Sequence, residues 1–229
     1  MRFDIVTIFP ELFSDFTKQS LIARAIKKKL ISIKAYDLRK WTHDRHKTVD
    51  DRPYGGGAGM ILKTQPIYDA VRFLKNKKLR IKKNKTRVLL LSAKGKQFTQ
   101  KDAYRLSEYN QLILISGRYE GVDERVADYI ADEEISIGPY VVFGGEIPSM
   151  LVIEAVSRLV PGVIANEESL KEESFSNNSC SLMREYPQYT RPEVFVLGKK
   201  RLPVPSVLLS GNHKEIEKWR KKQMKTSKR

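Results

Sequence analysis

The stretch from Gln111 to Met150 constrains the fold most, because three short apolar runs within it each end in a glycine-bearing turn. The runs are Leu112–Ser116, Ile135–Ile137 and Tyr140–Phe143. Their turns are Gly117 to Gly121, Gly138–Pro139 and Gly144–Gly145. Apolar runs this short, bounded by turn residues, read as buried strands. Glycine lets a backbone come close to another group because no Cβ stands in the way. Several such turns together surround a small ligand with N–H and C=O groups; taken singly they are ordinary strand-to-helix turns. The glycines alone do not decide between the two.

The chain on either side predicts the setting. Phe3–Phe9 is β-branched and apolar, a first strand, and Pro10 with Glu11 follows as a helix opening. Leu21, Ile22, Ala25 and Ile26 share one face of that helix, and Ile31–Tyr36 is a second strand. Strand–helix–strand alternation predicts an α/β domain with a mostly parallel sheet. Further on, Thr64 opens a helix, Val88–Ser92 is a strand, and Thr99-x-x-Asp102 is a capping box. Glu146–Val160 is a helix that ends at Pro161-Gly162. Asn166–Arg184 is polar and poor in apolar residues, which marks a linker, and Asn212-x-x-Glu215 caps a last helix. The expected plan is a domain over residues 1–161, a linker over 162–184 and a second, small domain over 185–229.

Between Asp37 and Met60 the periodicity fails, and a polar, glycine-rich loop this long is uncommon unless it is functional or disordered. His43, Asp44 and His46 lack a trustworthy ligand spacing, and the neighbouring arginines repel a cation. Gly55 to Gly59 lack the Gly-Lys-Ser/Thr ending of a phosphate loop. Carboxylates and guanidiniums on such a loop suit a nucleotide or phosphodiester substrate.

Charge narrows the partner. Against 27 Asp+Glu stand 43 Lys+Arg, a net charge of +16, which calls for a polyanion, most often nucleic acid, or an anionic membrane surface. Arg72 to Arg87 alone hold nine cations and no acid, suited to a phosphate backbone or to a solvated linker. No apolar run approaches the ~18 residues of a spanning helix. Asp4 and Glu11 interrupt the first apolar run, against a signal peptide, and the single Cys180 suits a reducing compartment. A cytoplasmic protein without membrane association is expected.

Six motifs in register carry a specific resemblance: THDRHKTVDDRPYGGGAGM, LISGRYEGVDERV, the SIG/GGE pair, AVSRLVPGV, YTRPEVF and VPSVLLSGNHKEIEKWR. Together they resemble the bacterial tRNA (guanine-N1)-methyltransferase family, over Met1 to about Gln223. The resemblance implies methyl transfer from S-adenosylmethionine to N1 of the guanosine at tRNA position 37. It also implies a trefoil-knotted, mostly parallel α/β sheet with helices on both faces, and a small, mainly helical C-terminal domain that grips tRNA. A homodimer with active sites at the subunit interface is part of the same expectation, as is Mg²⁺.

By motif match the cofactor is held by Ser92, Ala93, Gly117, Ile137, Gly138, Pro139, Tyr140, Val141, Val142, Gly144, Gly145 and Pro148. Close backbone groups in a concave, mostly apolar pocket suit such a ligand. Arg24, His46, Asp50, Tyr54, Gly59, Glu120, Lys218 and Arg220 are carried over as tRNA contacts, and Glu120 and Glu173 as Mg²⁺ ligands. Neutral guanine carries a proton on N1, so the chemistry calls for a carboxylate near N1 and a cation near O6. The cation matches Arg158, which from sequence alone is an exposed helix arginine. The base matches Glu173, with Glu172 its rival.

The chain departs from the family at that base, where relatives have aspartate; no aspartate follows Asp132 here. Glu173 is one methylene longer, with a similar intrinsic pKa. Pro139 and Phe143 also replace the usual residues of the cofactor loop, and the C-terminal domain is shorter. These departures leave an alternative expectation, a tRNA-binding protein of the same fold with weakened or lost catalysis. A knotted methyltransferase acting on a ribose hydroxyl is a third, which the intact THDRHKTVDDRPYGGG loop disfavours.

Overall fold

Five parallel strands form the sheet of the first unit, in the order β2-β1-β6-β5-β7. They are β1 (Arg2–Thr7), β2 (Ser32–Asp37), β5 (Thr86–Gln97), β6 (Gln111–Ser116) and β7 (Glu133–Ser136). The computed structural model describes residues 1–76, 85–164, 183–184 and 186–226. The chain divides into two units, Met1–Ala165 and Asn166–Arg229.

The inner strands are apolar on both sides, as a parallel sheet covered by helices requires. Phe3, Ile5, Leu89, Leu91, Leu112 and Leu114 point to one side and pack on α2 (Ser20–Lys27), α4 (Gln100–Ser107) and α6 (Glu146–Ser157). Val6, Val88, Leu90, Ile113 and Ile115 point to the other, against α3 (Thr64–Asn76) and α5 (Glu124–Tyr129). The α/β class with a mostly parallel sheet is therefore as predicted. The Thr99–Asp102 capping box is present in full, and the Asn212 side chain accepts from the Glu215 N–H at 3.4 Å.

Three local expectations are corrected. The helix opened by Pro10 is broken into a 3-10 turn (Pro10–Leu12), a single turn α1 (Phe13–Phe16) and α2. The Thr17 hydroxyl donates to the Phe13 and Ser14 carbonyls at 3.1 and 3.0 Å, competing for acceptors the helix needs. Ser20 then takes φ +57° and the chain restarts in α2. Tyr140–Phe143 is not a strand: it pairs with nothing in the sheet, and Val141 and Phe143 are 87% and 95% exposed. Finally, β5 runs past Ser92 to Gln97, but its register against β7 shifts between Leu91 and Lys96.

The polar loop after β2 carries a short 3-10 helix (Leu38–Trp41). A two-residue strand β3 (Asp50–Asp51) pairs antiparallel with β4 (Ile61–Leu62). In the second unit, β9 (Val194–Leu197) and β10 (Lys200–Pro203) form a hairpin around Gly198, followed by α7 (Ser206–Leu209) and α8 (His213–Gln223). Strand β8 (Met183–Arg184) pairs with β11 (Lys225–Thr226). Trp219 of α8 lies 6.4 Å from the Tyr189 ring and Arg220 stacks on Tyr186 at 4.7 Å, which docks α8 on the 186–189 segment. Among the described residues no helix is long and apolar enough to cross a membrane.

Candidate active site

A cavity of about 480 Å³ opens beyond the carboxyl ends of β5, β6 and β7, where ligands of open parallel sheets are bound. Three chain turns build it. The first is the break in β5, where residues 92–95 leave the ladder to β7. It is possible only because Gly95 has no side chain: a Cβ there would lie 2.6 Å from the Glu134 and Ile135 backbone. The second is the turn after Ser116. The third, after β7, returns the chain so that the Gly145 N–H donates to the Gly117 carbonyl at 2.8 Å. A Cβ on Gly145 would stand 2.6 Å from Ser116 Cα, so the two turns touch backbone to backbone. Ser116 Oγ and Ser149 Oγ close the contact beneath them at 2.9 Å.

Of the twelve positions matched to the cofactor, the cavity brings ten together: Ser92, Ala93, Gly117, Ile137, Tyr140, Val141, Val142, Gly144, Gly145 and Pro148. Gly138 and Pro139 do not line it. Gly138 instead packs under the Tyr140 ring, and its N–H donates to Ser136 Oγ at 3.3 Å. The exposure of Tyr140–Phe143 has its reason here, since a segment that walls an open cavity cannot also lie inside a sheet.

The charges at the cavity do not follow from the sequence reading. Glu146, at the start of α6, is fully buried, accepts from the Thr7 hydroxyl at 2.6 Å and pairs with Arg118 Nε at 2.8 Å. Arg118 lies over the Phe9 ring at 4.8 Å and forms an isolated bridge with Gly144. A buried carboxylate therefore fixes one cavity-lining cation and joins both glycine turns to the end of β1. From sequence Glu146 is only a helix opener, and nothing local tells a buried opener from an exposed one. Lys94 and Glu124, both lining the cavity, pair with each other. Glu134 Oε1 is buried and has no hydrogen-bond partner among the described residues, though Glu134 faces the cavity.

Two further acids of this stretch, Glu133 and Asp123, are structural. Glu133 accepts from Arg105 Nη1 and Nη2 at 2.7 and 2.6 Å and from Arg87 Nε at 2.6 Å, which pins β7 to β5 and α4. Burial opposes its ionisation, but the Arg105 and Arg87 hydrogen bonds outweigh burial and hold its carboxyl below the usual range. The Arg125 guanidinium, by hydrogen bonding, lowers Asp123 to about 2.

The remaining predicted residues are spread out. Glu120 lines the cavity, and Gly59 packs directly against it: a Cβ on Gly59 would lie 2.5 Å from Glu120 Cγ. Backbone bonds from the Glu120 N–H to Met60 O (3.1 Å) and from the Leu62 N–H to Gly121 O (3.0 Å) zip the long loop to this turn. Tyr54 is wholly exposed, His46 is exposed, and Asp50 is half-buried opposite Leu62. Arg24 is exposed in the last turn of α2. Arg158 caps the far end of α6, about 20 Å along the helix from Gly145 at 1.5 Å per residue, and does not line the cavity. Lys218 and Arg220 are exposed on α8 in the second unit. Glu172 and Glu173 lie outside the described residues. Among the described residues no group of three or more His, Cys, Asp or Glu is arranged to hold a metal ion.

Comparison with known proteins adds an independent line. A family model described as tRNA (Guanine-1)-methyltransferase TrmD matches residues 1–229. A protein of Dictyoglomus turgidum named tRNA (guanine-N(1)-)-methyltransferase is 52% identical over 223 residues, covering 97% of this chain and 84% of its own. Proteins of the same name from Carboxydothermus hydrogenoformans and Clostridioides difficile are 49% and 45% identical over 97% of this chain, and the match covers 82% and 92% of theirs.

Proposed function

The chain belongs to the tRNA (guanine-1)-methyltransferase family, and from that premise we propose how it works on its substrate. It is an S-adenosylmethionine-dependent enzyme that methylates N1 of a guanosine in tRNA, the one at position 37 beside the anticodon. The observation that carries this is the cavity at the carboxyl ends of β5, β6 and β7, built from the same turns that the family motifs occupy.

The residues present fit the cofactor. Backbone groups of the Ser92–Ala93, Gly117 and Gly144–Gly145 turns face a concave and partly apolar space, with Val142 and Pro148 as apolar walls. The unpartnered Glu134 Oε1 offers a buried acceptor to an ammonium, amino or hydroxyl group, and a buried acceptor left unpaired is costly. Bound there, S-adenosylmethionine supplies a methyl group activated by positively charged sulfur. The protein's part is to prepare guanine N1. Glu173, or its neighbour Glu172, takes the N1 proton, so that the nitrogen lone pair is free to form the new N–C bond. Arg158 faces the charge that develops on O6. Glu120, at the cavity mouth beside Gly59, sits next to the target base. The described residues do not form a metal site for Mg²⁺.

Arg158 lies at the opposite end of α6 from the cavity, which supports an active site completed by a second copy of the chain. The outer sides of α2 and α6 cover the same face of the sheet and expose Leu21, Ile147 and Leu151, an apolar surface suited to a homodimer. We assign residues 1–161 to cofactor binding, 162–184 to the linker and 185–229 to tRNA binding through Lys218 and Arg220. The trefoil threading of the sheet belongs to the same reading.

The test is a methyl-transfer assay on two tRNA transcripts, one with G at position 37 and one with A. Product is expected only from the first, with N1-methylguanosine identified by mass spectrometry. No transfer to the G37 transcript by protein that binds the cofactor overturns the assignment.

A further inference from the structure

A second cavity, of about 530 Å³, lies between the 3-10 helix Leu38–Trp41 and the second half of α3, lined by Lys40, Trp41, His43, Asp69, Arg72 and Phe73 among others. It shares no lining residue with the cofactor cavity. Its 3-10 helix follows β2, at the edge of the sheet opposite β7.

The cleft is built on an aromatic cluster, and its chemistry is specific. Trp41 is braced between two rings, Tyr36 at 6.2 Å and Phe73 at 5.9 Å, tilted by 53° and 56°. The turn that carries it is tied down: Arg39 Nη1 donates to Ile8 O at 2.6 Å, and the Thr42 hydroxyl donates to Arg39 O at 2.8 Å. An aromatic ring held in place before a ligand arrives loses little entropy on binding it. Phe73 is 51% exposed, and Lys40 and Arg72 are exposed at the rim. The one carboxylate lining the cleft, Asp69, accepts from Gln65 Nε2 at 3.0 Å. Stacking surface flanked by cations is how proteins hold unpaired nucleotides: the base takes the ring and the phosphates take the charges. An apolar peptide would leave Lys40 and Arg72 facing no opposite charge. Charge complementarity favours RNA again in the sequence, where Arg72 to Arg87 hold nine cations and no acid.

We propose that this cleft binds an unpaired nucleotide of the tRNA other than the methylated guanosine. Its base stacks against Trp41 and Phe73, and its flanking phosphates meet Lys40 and Arg72. The cleft thus places tRNA at the β2 edge while chemistry proceeds at the other side of the sheet. This rests on the reading that the substrate is tRNA.

The test measures tRNA affinity, cofactor affinity and thermal midpoint for the full chain and for Phe73→Ala, Arg72→Ala, Trp41→Phe and Trp41→Leu. Phe73→Ala and Trp41→Leu are expected to weaken tRNA binding roughly five- to tenfold or more. Trp41→Phe keeps a stacking ring and is expected to stay close to the parent. Arg72→Ala is expected to weaken binding and lower the salt dependence by about one counterion. Cofactor affinity stays as in the parent for Phe73→Ala and Arg72→Ala. Melting is unchanged for the exposed Arg72 and falls by a few degrees for Phe73→Ala, which loses its ring contact with Trp41. In a Trp219→Phe background, saturating tRNA is expected to quench the Trp41 emission. Unchanged tRNA affinity in folded Phe73→Ala and Arg72→Ala, or unquenched Trp41 at saturating tRNA, overturns the proposal. A parent protein that binds tRNA with quenching yet transfers no methyl group leaves the cleft standing and removes the enzymatic reading instead.

Discussion

Two groups of glycines in this molecule do different work, although both look alike on paper. Gly95 and Gly145, around the cavity at the carboxyl ends of β5, β6 and β7, are demanded by space: a Cβ on either would collide with backbone at 2.6 Å. Gly145 has an ordinary φ of −78°, so nothing in its own conformation calls for glycine. Gly55 and Gly56, in the long polar loop, are the reverse. They have φ of +85° and +81°, yet a Cβ on either would meet nothing within 4 Å. One set holds three turns against each other; the other lets a loop turn in open solvent. The cavity is thus built by close approach of backbones, whereas the loop is shaped by local torsion.

The largest effect is expected at Gly145. Gly145→Ala is expected to push the Gly117 and Gly145 turns apart and cost about 1–3 kcal/mol or more, because neither backbone has room to yield. Thermal unfolding and calorimetry should show a lower midpoint and weakened cofactor binding together. A variant that binds cofactor as the parent does would break the distinction. Gly59 is where the two groups meet, since its Cβ would strike the Glu120 side chain rather than backbone. Gly59→Ala is expected to leave cofactor affinity nearly intact while methyl transfer falls about tenfold or more by displacing Glu120. Calorimetry alongside single-turnover rates reads the split. The smallest effect belongs to Gly56→Ala. There the left-handed strain of about 1 kcal/mol is partly offset by a stiffer unfolded chain. A midpoint change of no more than about 2–4 °C, with unchanged cofactor binding, is the expected result in a scanning melt.

Much of the frame is legible in the sequence because its signals are local. The apolar runs in Phe3–Phe9 and Leu112–Ser116, the Thr99–Asp102 box and the Asn212 cap all act within a few residues of themselves. What escapes depends on distant neighbours. Tyr140–Phe143 has the composition of a strand, and only the cavity beside it explains why it is one of the exposed walls. The break in β5 answers to the backbone of β7, some forty residues later in the chain, so Gly95 looks like any turn glycine. Trp41 and Phe73 lie on separate elements, and neither sequence neighbourhood announces that their rings meet. The glycine turns are visible, but their use as a cavity comes from family motifs rather than from the glycines.

The Thr7–Glu146 hydrogen bond has a further consequence, for the timing of assembly. Its partners are 139 residues apart, and Glu146 also holds Arg118. Contacts between such distant residues form only after the intervening loop has been closed, against its entropy, and they slow folding. During synthesis all five strands of the sheet, β7 included, emerge before Glu146 does. A chain stopped short of that residue has every strand but lacks the carboxylate that fixes Arg118 and ties the glycine turns to β1. On the proposed reading, cofactor affinity is therefore a property acquired late, and it reports that the whole first unit has closed.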